Sequence, residues 1–279
     1  MITYMSGAGN LFSVIDNRIN KYNFDFYSRN SSKFCASNEI TACRTDGLIV
    51  MNSSDSEDFN VWFFNPDGSA GMMCGNGGRC AVRFALNNNF IMKNDNRDKF
   101  RFSMANTTYS ATVNENKIEL EFSPPQEIKS DNLLNYQDKK INFTYVNNGS
   151  DHICINYLTI KQNVNIRDFE FIEFAKFFRW HDSFPRGVNV NLYEFDNDFI
   201  QLRTYERGVE AETGACGTGA IATAISLMDN NKEINRFSII PTSGEQLEVR
   251  IHSKEHKIES IILSGPAKVL GMRDEEILK

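Results

Sequence analysis

Cys74-Gly75-Asn76-Gly77-Gly78 and Cys216-Gly217-Thr218-Gly219-Ala220 are near-copies of one segment, and each runs into an apolar stretch of helical periodicity. A thiol at a helix mouth meets unpaired backbone N–H groups and the positive end of the helix dipole. Both favour thiolate and can bring its pKa below the usual value of about 8.5. The same N–H groups bind anions such as a carboxylate, and the glycines let the backbone approach a ligand closely. A carboxylate held by N–H groups of Gly75, Asn76, Gly77, Gly217, Thr218 and Gly219 would leave two sulfurs flanking its α-carbon. One sulfur, as thiolate, would remove the α-proton; the other, as thiol, would return a proton to the opposite face. The residue types therefore predict a two-base racemisation or epimerisation. Either segment alone is equally a Gly-rich loop closing a buried helix, so the chemistry rests on the pair.

Cys216 follows Cys74 by 142 residues, and the same offset carries Gly7-Ala8-Gly9-Asn10 onto Gly149-Ser150-Asp151-His152 and Asn65 onto Arg207. Matches in one register predict a duplicated domain, with each half contributing one cysteine to a shared cleft. His152 and Glu206 stand close to these anchors, and a histidine or carboxylate beside a thiol can set its protonation state. A lone histidine is as often purely structural. Arg207 is placed to clamp a second ligand carboxylate as a charge-assisted pair, or else is a surface arginine.

Other chemistries find little support. His252 and His256 have metal-ligand spacing, but Ser253-Lys254-Glu255 between them reads as a hairpin turn, and no metal is expected. Gly7 to Gly9 lacks the third glycine and the helix of a dinucleotide fingerprint, and no pyridoxal-phosphate site is evident, so no cofactor is expected. The six cysteines include no Cys-x-x-Cys pair, and Cys35, Cys43, Cys80 and Cys154 read as free thiols used in packing. With 41% hydrophobic and 24% charged residues the chain has the balance of a soluble globular protein, and its net charge of −6 argues against a nucleic-acid partner. No basic leader and no run of about 18 apolar residues is present, so the expectation is a cytoplasmic protein with no membrane partner.

Strands are expected at Phe12 to Ile15, Gly47 to Met51, Val61 to Phe64, Lys117 to Phe122 and Phe199 to Tyr205. Helices are expected at Gly78 to Leu86, Arg167 to Phe178 and Thr218 to Met228, which makes the class α+β. Ser123-Pro124-Pro125 is the candidate linker and Ser264-Gly265-Pro266 the candidate return crossing. The expected domains are 1–122 with 266–279, carrying Cys74, and 123–265, carrying Cys216. The Asn-rich segment from Asn87 to Lys99 reads as a solvated loop.

Taken together, Gly7-Ala8-Gly9-Asn10, Asp46-Gly47-Leu48, Asn65-Pro66-Asp67-Gly68-Ser69, Gly187-Val188-Asn189, Tyr205-Glu206-Arg207-Gly208 and the two cysteine motifs resemble the diaminopimelate epimerase family over nearly the whole chain. The resemblance implies two pseudo-symmetric domains, each a central helix wrapped by mainly antiparallel strands, with the active site in the cleft between them. It implies interconversion of LL- and meso-diaminopimelate without a cofactor, serving lysine and peptidoglycan synthesis. Cys74 and Cys216 would be the acid/base pair, and His152 and Glu206 would line the reacting centre. Gly75, Asn76, Gly217 and Thr218 would cradle the carboxylate, and Asn10, Asn65, Asn189 and Arg207 would contact substrate. A homodimer is compatible with the resemblance. Three stretches depart from the family pattern: Leu11 after Asn10, Arg44-Thr45 before Asp46, and Ser150-Asp151 before His152. The last places a negative charge near the expected cleft. Two other readings remain open, a related amino-acid racemase of broader range and a non-catalytic binding or redox protein using the same thiols.

Overall fold

Runs rich in β-branched and aromatic residues form seven strands in the first part of the chain: β1 (Ile2–Gly7), β2 (Asn10–Asp16), β3 (Gly47–Asn52), β4 (Phe59–Phe64), β5 (Lys99–Met104), β6 (Thr107–Asn114) and β7 (Lys117–Phe122). The computed structural model describes residues 1–90, 99–114, 117–160, 164–228 and 233–274. The chain divides into two compact units, Met1–Glu121 with Ser264–Lys279, and Phe122–Leu263.

In the first unit β1 and β2 are antiparallel, β2 and β3 parallel, β3 and β4 antiparallel, β4 and β5 parallel, and β5, β6 and β7 successively antiparallel. After one helical turn, α1 (Asn17–Asn20), come α2 (Phe24–Phe34) and α3 (Gly75–Asn87). Helix α3 packs on β1 to β4, whereas α2 packs on β3 and β4. Strands β1 and β3 are consequently buried along almost their whole length, with no polar face to alternate. Tyr27 and Phe34 of α2 close a core with Ile2, Tyr4, Leu48 and Val50.

The second unit contains β8 (Glu127–Tyr136), β9 (Lys139–Asn147), β10 (Asp151–Asn156), β11 (Asn189–Asp196), β12 (Phe199–Glu206), the two-residue β13 (Ala211–Glu212), β14 (Ile234–Pro241), β15 (Leu247–Lys254) and β16 (Lys257–Pro266). Its helices are α4 (Phe171–Arg179) and α5 (Gly217–Ser226). From β9 onward the pairings run antiparallel, parallel, antiparallel, parallel, antiparallel through β10, β11, β12, β14 and β15, the same alternation as β1 to β6. Helix α5 packs on β9, β10, β11, β14 and β15, as α3 does on its own strands, and α4 takes the part of α2. Phe171, Phe174 and Phe178 of α4 meet Ile153, Ile155, Val190 and Leu192 of the sheet. The last strand, β17 (Lys268–Arg273), returns to the first unit antiparallel to β1, as β8 lies against β9. The fold is α+β, with a repeated half.

Several elements differ in detail from the sequence reading. Helix α2 was not expected, because FDFYSRNSSKF mixes Asn and Ser into its apolar positions; its start is set by Asn23, which accepts from the Phe26 N–H. The expected helix from Arg167 divides into a 3₁₀ turn at Ile166–Asp168 and α4. The hairpin between His252 and His256 turns at Glu255 and His256, both at positive φ (50° and 62°), one residue later than expected. Ser264 to Pro266 lie within β16, so the chain re-enters the first unit as strand, not loop. Cys43 is exposed and is no packing residue, whereas Cys35, Cys80 and Cys154 are buried. Of the segment expected as a solvated loop, residues 91–98 lie outside the described residues.

Candidate active site

Each motif cysteine is the N-cap of its helix. Cys74 sits at φ −113°, ψ 105° before α3, and Cys216 at φ −115°, ψ 111° before α5. The sulfur of Cys74 accepts from the Gly77 N–H at 3.3 Å, and that of Cys216 from the Gly219 N–H, also at 3.3 Å. The extended backbone of the cap, the sulfur standing in for the usual Ser or Asp oxygen, and the bare glycines together set the first turn of each helix in a geometry that suits an anion.

The surroundings of the two thiols differ. In the first unit a file of polar side chains runs under the α3 mouth. Asp46 accepts from the Leu11 N–H at 2.8 Å and from Asn10 Nδ2 at 3.2 Å; Asn10 Oδ1 accepts from Asn76 Nδ2, and Asn76 Oδ1 accepts from Arg79 Nη2 at 2.6 Å. A carboxylate that only accepts and a guanidinium that only donates fix the direction of both amides between them. Gly7 is part of this fit, because a Cβ there would stand 2.6 Å from the Asn76 carbonyl oxygen. Asn65 lies on a neighbouring turn, donating to Ser69 Oγ at 2.8 Å, while Ser69 in turn donates to Asp67 and holds that carboxyl below its usual range.

In the second unit Cys216 is buried, and burial, followed by the Glu206 carboxylate, pushes its thiol pKa well up; the Thr218 hydroxyl and Gly219 N–H act the other way. A helix mouth favours thiolate at both cysteines, but at Cys216 desolvation and a neighbouring negative charge prevail over the hydrogen bonds from Thr218 and Gly219. Glu206 accepts from Thr213 Oγ1 at the end of β12. Helix α5 is almost entirely Gly, Ala, Thr and Ile, which lets the strands close in around it.

Asn189 and Arg207 are brought together: the Arg207 N–H donates to Asn189 Oδ1 at 2.8 Å, and Asn189 Nδ2 donates to Ser150 Oγ and to the Asp151 carbonyl, both at 2.8 Å. Asp151, the residue out of pattern, is buried, and its charge is matched. It accepts from Arg207 Nη1 at 3.0 Å, from Arg186 Nη2 at 2.9 Å and from the Tyr145 hydroxyl. Burial alone would raise its pKa, but these partners prevail and hold it below the usual carboxylate range. Arg207 Nη1 also donates to the carbonyls of Arg186 and Gly187, so one edge of the guanidinium is anchored. His152 is fully buried and held neutral, its pKa lowered to about 3 by burial and then by Arg207, with Asp151 opposing. Its Nδ1 faces Asn191 Nδ2 at 3.1 Å.

Asp46, Arg79, Asp151, Thr204 and Asn191 carry this network without having been singled out as site residues in the sequence. Asn191 was the most findable. It stands two residues from Asn189, on the same face of β11, in the buried Asn189–Tyr193 part of the strand. Among the described residues no group of three or more His, Cys, Asp or Glu side chains could hold a metal ion, and no helix is long and apolar enough to cross a membrane.

Solved structures share this two-unit arrangement of strands and helices. A phenazine biosynthesis protein of the PhzF family from Bacillus anthracis matches with a TM-score of 0.71 over 96% of each chain at 13% identity. A probable proline racemase from Agrobacterium radiobacter K84 matches with a TM-score of 0.68 over 98% of this chain and 92% of its own, at 14% identity. These define the class of fold. Sequence carries the assignment further: the diaminopimelate epimerase family model matches residues 2–127 and 144–270. The diaminopimelate epimerase of Aquifex aeolicus is 34% identical over 99% of this chain and 98% of its own length, and that of Chlorobaculum tepidum 35% identical over 95% and 97%. The chain belongs to the diaminopimelate epimerase family.

Proposed function

We propose that the chain is an isomerase that interconverts LL- and meso-diaminopimelate by two-base proton transfer at an α-carbon, in the synthesis of lysine and peptidoglycan precursors. The observation that carries this reading is the matched pair of N-cap thiols, each 3.3 Å from the third N–H of its own helix, in a chain of this family. The first-turn N–H groups of Gly75, Asn76, Gly217 and Thr218 supply donors for the substrate carboxylate and for charge that develops on it as the α-proton leaves. Cys216, buried against Glu206, stays a thiol near neutral pH and is the proton donor when the cycle starts; Cys74 is then the base. Once Cys216 has given its proton it is the base of the reverse reaction, with Glu206 beside it to influence which form it holds. Asn10, Asn65, Asn189 and Arg207 stand at substrate-contacting positions. Arg207, anchored by Asp151 on one edge, offers the rest of its guanidinium to the distal carboxylate.

Incubation of the reduced protein with LL-diaminopimelate in D2O, followed by NMR, tests the reading, with a panel of other L-amino acids alongside. Loss of the α-proton signal for diaminopimelate alone is expected. Exchange across the panel would make it a broad racemase, and no exchange with any substrate would refute the isomerase reading.

A further inference from the structure

The buried Asn191 amide touches both His152 and the helix turn that Cys216 caps. It lies on β11, where it is fully buried and opposite Cys154 of β10 in parallel register, next to the His152 and Asn189 pair. Its Nδ2 is 3.1 Å from His152 Nδ1 and 3.0 Å from the Ile153 carbonyl oxygen, and its Oδ1 accepts from the Thr204 hydroxyl at 3.0 Å. A carbonyl oxygen can only accept, so the Ile153 contact dictates that the NH2 end of the amide points this way, and the same end meets the imidazole. His152 Nδ1 therefore accepts, and the single proton of the neutral ring resides on Nε2.

That Nε2 is buried and makes no hydrogen bond. A buried donor without an acceptor is costly, and an acceptor oxygen brought to it by a ligand would remove that cost. The amide is also close to the thiol end of α5: a Cβ built on Gly219 would stand 2.4 Å from Asn191 Oδ1, 3.1 Å from Thr204 Oγ1 and 3.2 Å from Cys216 Cβ. Glycine at that position lets the amide lie directly under the helix turn.

We propose that Asn191, held by Thr204 and the Ile153 carbonyl, is a positioning residue that keeps His152 in its Nε2-protonated form, so that His152 can donate a hydrogen bond to a carboxylate oxygen of the bound substrate. The proposal rests on the epimerase reading for its ligand, but the ring tautomer does not depend on turnover. A protonated ring would direct a second N–H at the Asn191 NH2 group, so the amide also excludes the imidazolium form.

The test uses the intact, reduced protein labelled with ¹⁵N-histidine. The chain has four histidines, and His152 is assigned by its disappearance in His152→Gln. The expected spectrum shows His152 protonated at Nε2, and that N–H resonance moves when LL-diaminopimelate is added. Asn191→Asp places a carboxylate against Nδ1 and should shift the proton to Nδ1, with kcat falling at least about tenfold and KM changing less. Thr204→Val should lower kcat in part, and Thr204→Ser, which keeps the hydroxyl, should restore it. A wild-type ring protonated at Nδ1, an Nε2–H unmoved by substrate, or a folded Asn191→Asp protein with unchanged tautomer and kcat would each overturn the proposal. The wild-type spectrum decides the tautomer even where a variant fails to fold. A correct tautomer in a protein that never exchanges an α-proton would overturn the epimerase reading instead.

Discussion

Gly77 and Gly219 are the same residue of the repeat, the third after a cysteine N-cap, yet their surroundings differ. A Cβ on Gly77 would meet Cys74 Sγ at 3.3 Å and Ile49 Cδ1 at 3.6 Å, ordinary or slightly tight contacts. On Gly219 it would lie 2.4 Å from the locked Asn191 amide oxygen. The duplicated backbone has kept one cap geometry while the layer beneath it diverged. In the first unit that layer is an amide file strung between Asp46 and Arg79; in the second it is a Thr204, Asn191 and His152 chain, with Glu206 beside the thiol. The difference teaches that one repeated helix-mouth thiol can be set in two different polar surroundings by what lies under and beside its helix, with the helix ends themselves unchanged.

The strongest way to break the comparison is to remove the thiols in turn. Cys74→Ser and Cys216→Ser should each lower kcat by about 10²–10⁴-fold, with melting temperatures little changed, because each acid/base group is needed in every turnover. Steady-state kinetics in both directions checks this; a variant retaining near-native turnover would remove its cysteine from the chemistry. Next in size is the glycine pair. Gly219→Ala should destabilise by about 1–3 kcal/mol through overpacking, while Gly77→Ala should stay within about 1 kcal/mol of wild type, and denaturant melts of both compare them directly.

Asp151→Asn sharpens the comparison from the second unit alone. It leaves Arg186 and Arg207 without their shared carboxylate, and if Asp151 orients the distal clamp, KM for diaminopimelate should rise by about 3–10-fold with kcat less affected. The smallest effect concerns acid stability. Because the folded pKa of His152 is lowered to about 3, the unfolded chain binds one more proton over the window between that value and about 6.5. Its contribution to stability is therefore present at neutral pH and is lost as pH falls through that window. Between about pH 6 and pH 5 wild type should lose on the order of 1 kcal/mol more than His152→Gln. The raised thiol of Cys216 works in the other direction: its contribution is whole below about pH 8.5 and is lost as pH rises toward the folded pKa.

Much of this was legible because the informative residues have unusual types at fixed spacing. The glycines around Cys74 and Cys216 marked both helix mouths, and the recurring offset revealed the repeat whose strand pairings are alike. Helix α4 could be read from Phe171, Phe174, Ala175 and Phe178 on one face, whereas α2 owes its stability to Tyr27 and Phe34 entering a core assembled from distant strands. The state of the Cys216 thiol was not legible, since burial and the approach of Glu206 are products of tertiary packing. The role of Asn191 was only half legible: its spacing from Asn189 could be read, but its partners could not. A buried amide acquires meaning only once parallel pairing of β10 and β11 sets it beside His152.

The central claim is that the base and the acid are different groups. Early-time measurement of deuterium in both epimers, starting from LL-diaminopimelate in D2O, tests it most directly. A two-base enzyme places solvent deuterium in the meso product at the first turnovers while the remaining LL substrate keeps its α-proton. Deuterium entering the recovered substrate as fast as the product, or α-hydrogen carried from substrate into product, would mean that one group both takes and returns the proton, and would contradict the account.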